Sequence, residues 1–226
     1  MKLVPKVLER VFYAVVDPAI NGLVRSGISP NTITTIGAGV VVASAVAFGM
    51  GSIRLGGLLL LLSGVVDTLD GAVARRTGAS SKFGAFYDST LDRIGDGATF
   101  IGIAIYFMNA PDIAYRNAVV VLCMVAIMAS LVVSYTRARA EGLDLECRVG
   151  IAQRAERIVA VGGASLLVGA GPRGLVLSSI IAILTLLSII TIWQRIFHIY
   201  SITEGATGTA DSEGESAALD TIAKGS

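Results

Sequence analysis

Four aspartates sit at helical spacings: Asp67 and Asp70 are three apart, and Asp88 and Asp92 are four apart. On a helix either spacing puts both carboxylates on one face. Gly71 and Ala74 follow the first pair, and Gly84 stands one turn before the second, so small residues clear room beside the acids. Converging unpaired carboxylates repel one another, and something positive must lie among them. The only histidine is His198, and Cys123 and Cys147 form no CxxC or Cys/His cluster. An all-oxygen donor set suits a hard divalent cation such as Mg²⁺, with Mn²⁺ as a substitute. Four carboxylates can neutralise two such ions, and paired ions recur where a group is displaced at phosphorus. Arg75, Arg76 and Lys82 lie close by in sequence, where they can meet a phosphorylated ligand.

The elements that carry these acids belong to a membrane protein. Of 226 residues, 54% are hydrophobic and 15% charged, with a mean hydropathy of +0.74. Soluble domains carry about 25% charge. A formal charge of +1 excludes a nucleic-acid partner drawn by bulk charge. Ionisable groups within spanning helices are costly and mark function.

Stretches near 31–52, 55–76, 84–109, 115–138, 156–172 and 174–195 are each about long enough to span. The fifth is short and Gly-rich. The expected fold is therefore an all-α integral membrane protein with six transmembrane helices. An N-terminal interfacial amphipathic helix precedes them, in which Leu3, Val4, Val7, Leu8, Val11, Phe12 and Val15 recur at steps of three and four. Asp17-Pro18 predicts the start of a second short helix ending near Gly27, and Ser29-Pro30 the start of the first span.

The chain divides into an interfacial segment (1–30), a membrane domain (31–202) and a polar tail (203–226) expected to be disordered. Charges interrupt the N-terminal apolar run, which argues against a removable signal peptide. Arg54, Arg116 and Arg173 are the basic residues of the loops on one side, while most others fall on the opposite side. The positive-inside rule then makes a multi-pass cell-membrane protein with both termini and the acids facing the cytoplasm.

Asp67-x-x-Asp70-Gly71-x-x-Ala74-Arg75, then Gly84-x-x-x-Asp88-x-x-x-Asp92, resembles without a gap the signature of the CDP-alcohol phosphotransferase family. The resemblance implies a membrane enzyme, commonly a homodimer, that transfers the phosphatidyl group of a CDP-linked lipid to an alcohol and releases CMP. It implies that Asp67, Asp70 and Asp88 bind metal, and that Asp92 touches metal and serves as the base. Gly71, Arg75, Ser81 and the stretch Asn31, Thr32, Ile33 and Thr34 would contact the CDP-lipid.

The acceptor is read from arginines. Arg137, Arg139, Arg148, Arg154, Arg157 and Arg195 exceed what orientation requires, and guanidinium groups favour an anionic acceptor. A phosphorylated polyol is thus preferred to a free alcohol. The stretch 134–141, Arg154-Ala155-Glu156-Arg157, Gln194-Arg195 and Asp88 through Gly97 resemble the prokaryotic phosphatidylinositol-phosphate synthase branch of the family. That branch implies an acceptor-phosphate site at Arg137, Arg154 and Arg195, and inositol phosphate as acceptor. Glycerol 3-phosphate remains the alternative, and the lipid stays open between diacyl and ether types. The competing readings are acids paired structurally with Arg75, Arg76 or Arg93, Arg76 as a stop-transfer charge, a divalent-cation transporter, and a lipid-binding scaffold.

Overall fold

The computed structural model describes the backbone of residues 6–151 and 153–223, and the side chains of 16–151 and 153–204. It holds seven α-helices and one 3₁₀ turn among the described residues: α1 (Lys6–Arg25), α2 (Pro30–Gly49), α3 (Ile53–Thr77), α4 (Lys82–Asn109), α5 (Arg116–Glu141), α6 (Arg154–Leu167), the turn Pro172–Gly174, and α7 (Leu175–Ala223). Short links reverse the chain, so the ends of α1, α3 and α5 gather at one pole and those of α2, α4 and α6 at the other. α2 packs on α3 and α4, α3 on α6, α4 on α5, and α7 on α5 and α6.

Four helical segments are long and apolar enough to cross a membrane: Pro30–Gly49, Ile53–Thr77, Arg116–Glu141 and Pro172–Glu204. α4 has the length, at 28 residues, but carries Lys82, Asp88, Asp92, Arg93 and Asp96 between its start and its middle. α6 has 14 residues, roughly 21 Å of helix, which is shorter than the roughly 30 Å hydrocarbon layer. The fold is an all-helical integral membrane fold.

The start signal at Ser29-Pro30 acts as the sequence predicts, and a second cap forms at Ser81, which the family resemblance marks only as a ligand contact. The Ser29 side chain accepts from the Thr32 backbone N–H at 3.2 Å with Pro30 opening α2, and Ser81 accepts from the Gly84 N–H at 2.9 Å to cap α4.

Two expectations are corrected. No second helix begins at Asp17-Pro18, because α1 runs through Pro18. Asp17 pairs with Arg76 at 2.5 Å instead of capping, and Asn21 accepts from the same guanidinium at 2.7 Å. Val16 and Ile20 pack with Ile33, Ala72 and Val73, which holds this half of α1 on α3. Arg76 is thus a tether between helices rather than a bare stop-transfer charge. Leu3 and Val4 lie outside the described residues, as do the side chains of Val7, Leu8, Val11, Phe12 and Val15.

The second correction concerns the tail. The backbone of α7 continues helical to Ala223 where disorder is expected. Extending a formed helix needs no new nucleus, and Glu213, Glu215, Ala217, Ala218 and Leu219 are good helix formers. Residues 224–226 lie outside the described set.

The main apolar core, with Phe48, Ile53, Ile103, Phe107, Cys123, Leu177 and Ile181, lies toward the pole away from the acids. Lipid supplies little drive for one apolar helix to leave it for another, so close backbone approach does the holding. A Cβ on Gly102 would stand 2.1 Å from the Ala45 carbonyl oxygen, and one on Gly57 would stand 2.7 Å from that of Gly162. The Ser44 hydroxyl adds a 2.7 Å bond to the Gly56 carbonyl across the α2–α3 contact. Gly102→Ala is expected to destabilise the bundle by about 1–3 kcal/mol, as overpacking does. Gly39→Ala, with open space around its Cβ, is expected to leave the unfolding midpoint in detergent unchanged. A Gly102→Ala midpoint equal to that of Gly39→Ala would refute the seam.

Candidate active site

α3 and α4 bring their acids together. Asp67, Asp70 and Asp88 each offer an oxygen, and all three lie within 4.8 Å of one another. The group fits a hard cation on its own chemistry: every donor is carboxylate oxygen, and Asp88 Oδ1 is buried with no hydrogen-bond partner among the described residues. Asp70 is only 7% exposed. The Thr34 hydroxyl donates to its Oδ2 at 2.7 Å, fixing the carboxylate from α2.

Asp92 stands one turn beyond Asp88 and outside that group of three. Arg154, at the start of α6, reaches between the helices: its Nη1 is 2.9 Å from Asp92 Oδ1 and 3.0 Å from Asp67 Oδ1. The same guanidinium approaches Asp96 at 3.6 Å through Nε, and Arg157 makes a close ion pair with Asp96. A cation does lie among the acids, but it comes from α6 rather than from Arg75, Arg76 or Arg93. Arg93 is turned to the Ser89 carbonyl.

Two cavities flank the acids. The first, of about 190 Å³, is lined by Asn31, Thr34, Asp70, Gly71, Arg75, Ser81, Gly84 and Asp88 among others. Its glycines are there for clearance. A Cβ on Gly84 would lie 3.1 Å from Ser81 Oγ and 3.3 Å from Asn31 Oδ1, and one on Gly71 would lie 3.2 Å from Arg75 Nη1.

Five of the seven residues expected to hold the CDP-lipid meet in this cleft. Thr32 and Ile33 are not among its lining. The Thr32 hydroxyl pairs with Ser29 at 2.8 Å, and Ile33 is buried against Val16, Ile20, Ala72 and Val73. Helical periodicity explains the split: positions 31 and 34 share a face, and 33 falls on another.

The second cavity, of about 750 Å³, is lined by Asp92, Asp96, Arg137, Arg154, Arg157 and Arg195 together with the 146–148 segment. All three arginines expected to bind the acceptor phosphate thus open onto one chamber. They differ in freedom. Arg137 is paired with Glu141 at 2.9 Å and is exposed. Arg195 is 7% exposed and donates to the Val149 carbonyl at 3.0 Å and to the Val133 carbonyl, so it also fastens α5 and the 142–153 link to α7. A gap of about 10 Å³ shares Thr34 and Asp70 with the cleft, and Asp92 and Arg154 with the chamber.

The pairing of Asp96 with Arg157 is not an expectation of the sequence reading. Its signals were present: Asp96 continues the four-residue step of Asp88 and Asp92, and Arg157 follows Arg154 by three. His198 touches the Glu146 carbonyl at 3.3 Å, and Cys123 and Cys147 are buried and free.

Comparison with known proteins agrees with this arrangement. The family described as CDP-alcohol phosphatidyltransferase matches residues 27–202. A phosphatidylinositol phosphate synthase of Cutibacterium acnes is 40% identical over 189 residues, covering 80% of this chain and 90% of that protein. An archaetidylinositol phosphate synthase of Methanothermobacter thermautotrophicus is 37% identical over 185 residues, covering 82% and 88%. Crystal structures of the Mycobacterium tuberculosis phosphatidylinositol phosphate synthase superpose with a TM-score of 0.73. The one with CDP-DAG bound is 31% identical and covers 83% of this chain and 94% of that one. The one in complex with manganese and citrate is 32% identical and covers 81% and 88%. An unbroken acid signature held together in space and a match across most of its length make this chain a member of the CDP-alcohol phosphatidyltransferase family.

Proposed function

We propose that this protein transfers the phosphatidyl group of a CDP-linked lipid of the CDP-diacylglycerol type to inositol phosphate, releasing CMP, in phospholipid biosynthesis. One observation carries the reading: the three-acid group lies between a cleft bearing the family's nucleotide-side residues and a chamber walled by arginines. A neutral acceptor would need no such wall, since guanidinium forks match phosphate oxygens.

In this reading Asn31, Thr34, Gly71, Arg75 and Ser81 hold the CDP part, and Arg137, Arg154 and Arg195 hold the phosphate of the acceptor. Asp67, Asp70, Asp88 and Asp92 would hold two Mg²⁺ ions, with Mn²⁺ as a substitute. When bound, the ions draw charge off the diphosphate oxygens as the leaving nucleotide departs. Asp92 Oδ1 takes the proton from the acceptor hydroxyl as that oxygen bonds to the lipid-side phosphorus and the bond to the CMP oxygen breaks. Arg154 touches Asp92 and lines the chamber, so a phosphate held on its guanidinium lies beside the base.

The membrane arrangement belongs to the same proposal. α2 to α7 form six spans, with α4 packed on α2 and α5 and α6 on α3 and α7, both termini and the acids facing the cytoplasm, and α1 along the interface. The assembly is a homodimer, which cross-linking in native membrane would reveal. Cysteines introduced at Arg54 and Arg116 are expected to react with an impermeant thiol reagent from outside the cell, and one at Arg148 only after permeabilisation. The reverse pattern would invert the topology.

The activity is tested with purified protein, CDP-diacylglycerol and Mg²⁺, following CMP with inositol 1-phosphate, glycerol 3-phosphate, inositol and serine in turn. Inositol 1-phosphate is expected to support the fastest release, and glycerol 3-phosphate in that place would shift the acceptor while keeping the chemistry. Asp92→Asn is expected to lower turnover by about 10²–10⁴-fold while CDP-lipid binding persists; turnover at the wild-type rate would remove the base. Chelation is expected to stop release and Mn²⁺ to restore it. Thr34→Val, which removes the hydroxyl on Asp70, is expected to weaken Mn²⁺ binding by about 10–100-fold. Paramagnetic resonance of free Mn²⁺ reads this directly, and unchanged affinity would leave Thr34 to the nucleotide alone.

A further inference from the structure

α4 carries its acids as a ladder. Asp88, Asp92 and Asp96 follow one another at four-residue steps and project from one face. Sequence treats the three rungs alike, but their surroundings do not. Asp88 keeps a buried oxygen with no hydrogen-bond partner among the described residues. Asp92 shares Arg154 with Asp67. Asp96, whose side chain is 12% exposed, is taken by two guanidinium groups.

The deeper of the two is Arg157, 5% exposed, whose Nη2 donates to Asp96 Oδ2. Its Nε and Nη1 find no hydrogen-bond partner among the described residues, so Asp96 is the group that compensates this buried cation. The other oxygen, Oδ1, faces Arg154 Nε at 3.6 Å, close enough for charge attraction but not for a hydrogen bond. Arg157 fixes Asp96, and Asp96 in turn bears on the flexible head of Arg154. Asp92 and Asp67 grip Arg154 through Nη1 alone, so Asp96 is the group that faces its Nε edge and limits rotation about that grip; ordering such a long, rotatable side chain otherwise counts against acceptor binding.

We propose that Asp96, fastened by buried Arg157, is a positioning residue that holds the Arg154 guanidinium at the junction of the acid group and the acceptor chamber. The inference rests on the acceptor site described above and deepens it. It assigns the third rung to neither metal nor proton transfer. With Arg157 already neutralising it, Asp96 is committed to a protein cation, while Asp88 has an oxygen to spare.

The test separates acceptor from lipid. CMP release is measured in proteoliposomes against inositol 1-phosphate at saturating CDP-diacylglycerol, and then the reverse. Asp96→Asn is expected to raise the KM for inositol 1-phosphate by at least about 10-fold, with that for CDP-diacylglycerol within about twofold. Mn²⁺ affinity by paramagnetic resonance should stay at the wild-type value, and Asp96→Glu should recover most of the acceptor affinity.

Because Asp96→Asn leaves Arg157 buried without its counter-charge, folding can suffer. The double variant Asp96→Asn with Arg157→Gln removes both charges; it should unfold near the wild-type midpoint and still show the raised acceptor KM. An acceptor KM at the wild-type value in the folded double variant would overturn the inference. So would equal rises in both KM values, which denote general disturbance, or Mn²⁺ binding weakened in step, which would make Asp96 a metal residue. If wild-type protein releases no CMP with inositol 1-phosphate, the proposed acceptor fails first and takes this inference with it. Wild-type activity with an unaffected Asp96→Asn removes the inference alone.

Discussion

Like charges concentrated inside a membrane bundle are the constraint from which the rest of this structure follows. Asp67, Asp70 and Asp88 have oxygens within 4.8 Å of one another, and Asp92 stands one turn away. Such a group persists only where the scaffold is rigid, the remaining valences are met, and positive charge is at hand. Each requirement has a visible answer. Glycine contacts lock α2, α3, α4 and α6, Thr34 ties down Asp70, and Arg154 reaches in from α6. The end of the bundle that carries the chemistry is hollow because the charges there must remain within reach of ligands.

The same constraint sorts the arginines. Those near the acids are not interchangeable positive charges. Arg76 ties α1 to α3, Arg195 fastens two backbone carbonyls, Arg157 is sunk against Asp96, and Arg154 alone spans both acid helices. Arg137, paired with Glu141 on its own helix, is the most open member of the expected acceptor set. A surface pair of this kind is weak, which leaves its guanidinium available to an incoming anion.

What the sequence disclosed and what it hid divide along physical lines. The acids and glycines were legible because helical spacing and residue type decide their placement together. The helix start at Ser29-Pro30 was legible for the same local reason. Four things were not. Pro18 reads as a start, yet α1 passes through it because packing on α3 outweighs the local signal. The tail reads as disordered because it buries little, yet a helix already under way carries it. Thr32 and Ile33 come from the family resemblance as part of a contact stretch, whereas the face of α2 that lines the cleft carries Asn31 and Thr34. For partners distant in sequence, such as Arg154 with Asp67 or Arg157 with Asp96, spacing marks each residue but not which one it meets.

The close contact of Gly102 with the Ala45 carbonyl lies in the half of the bundle away from the acids. The seam and the chamber proposed for the acceptor thus lie in different halves of one small molecule, with Arg195 the chamber residue that also ties helices together. On the proposed reading, an exposed chamber side chain such as Arg137 can be exchanged, and a different alcohol thereby admitted, while the backbone seam that keeps the helices in register is left alone. A scaffold divided in this way can diversify its substrates by altering only its rim.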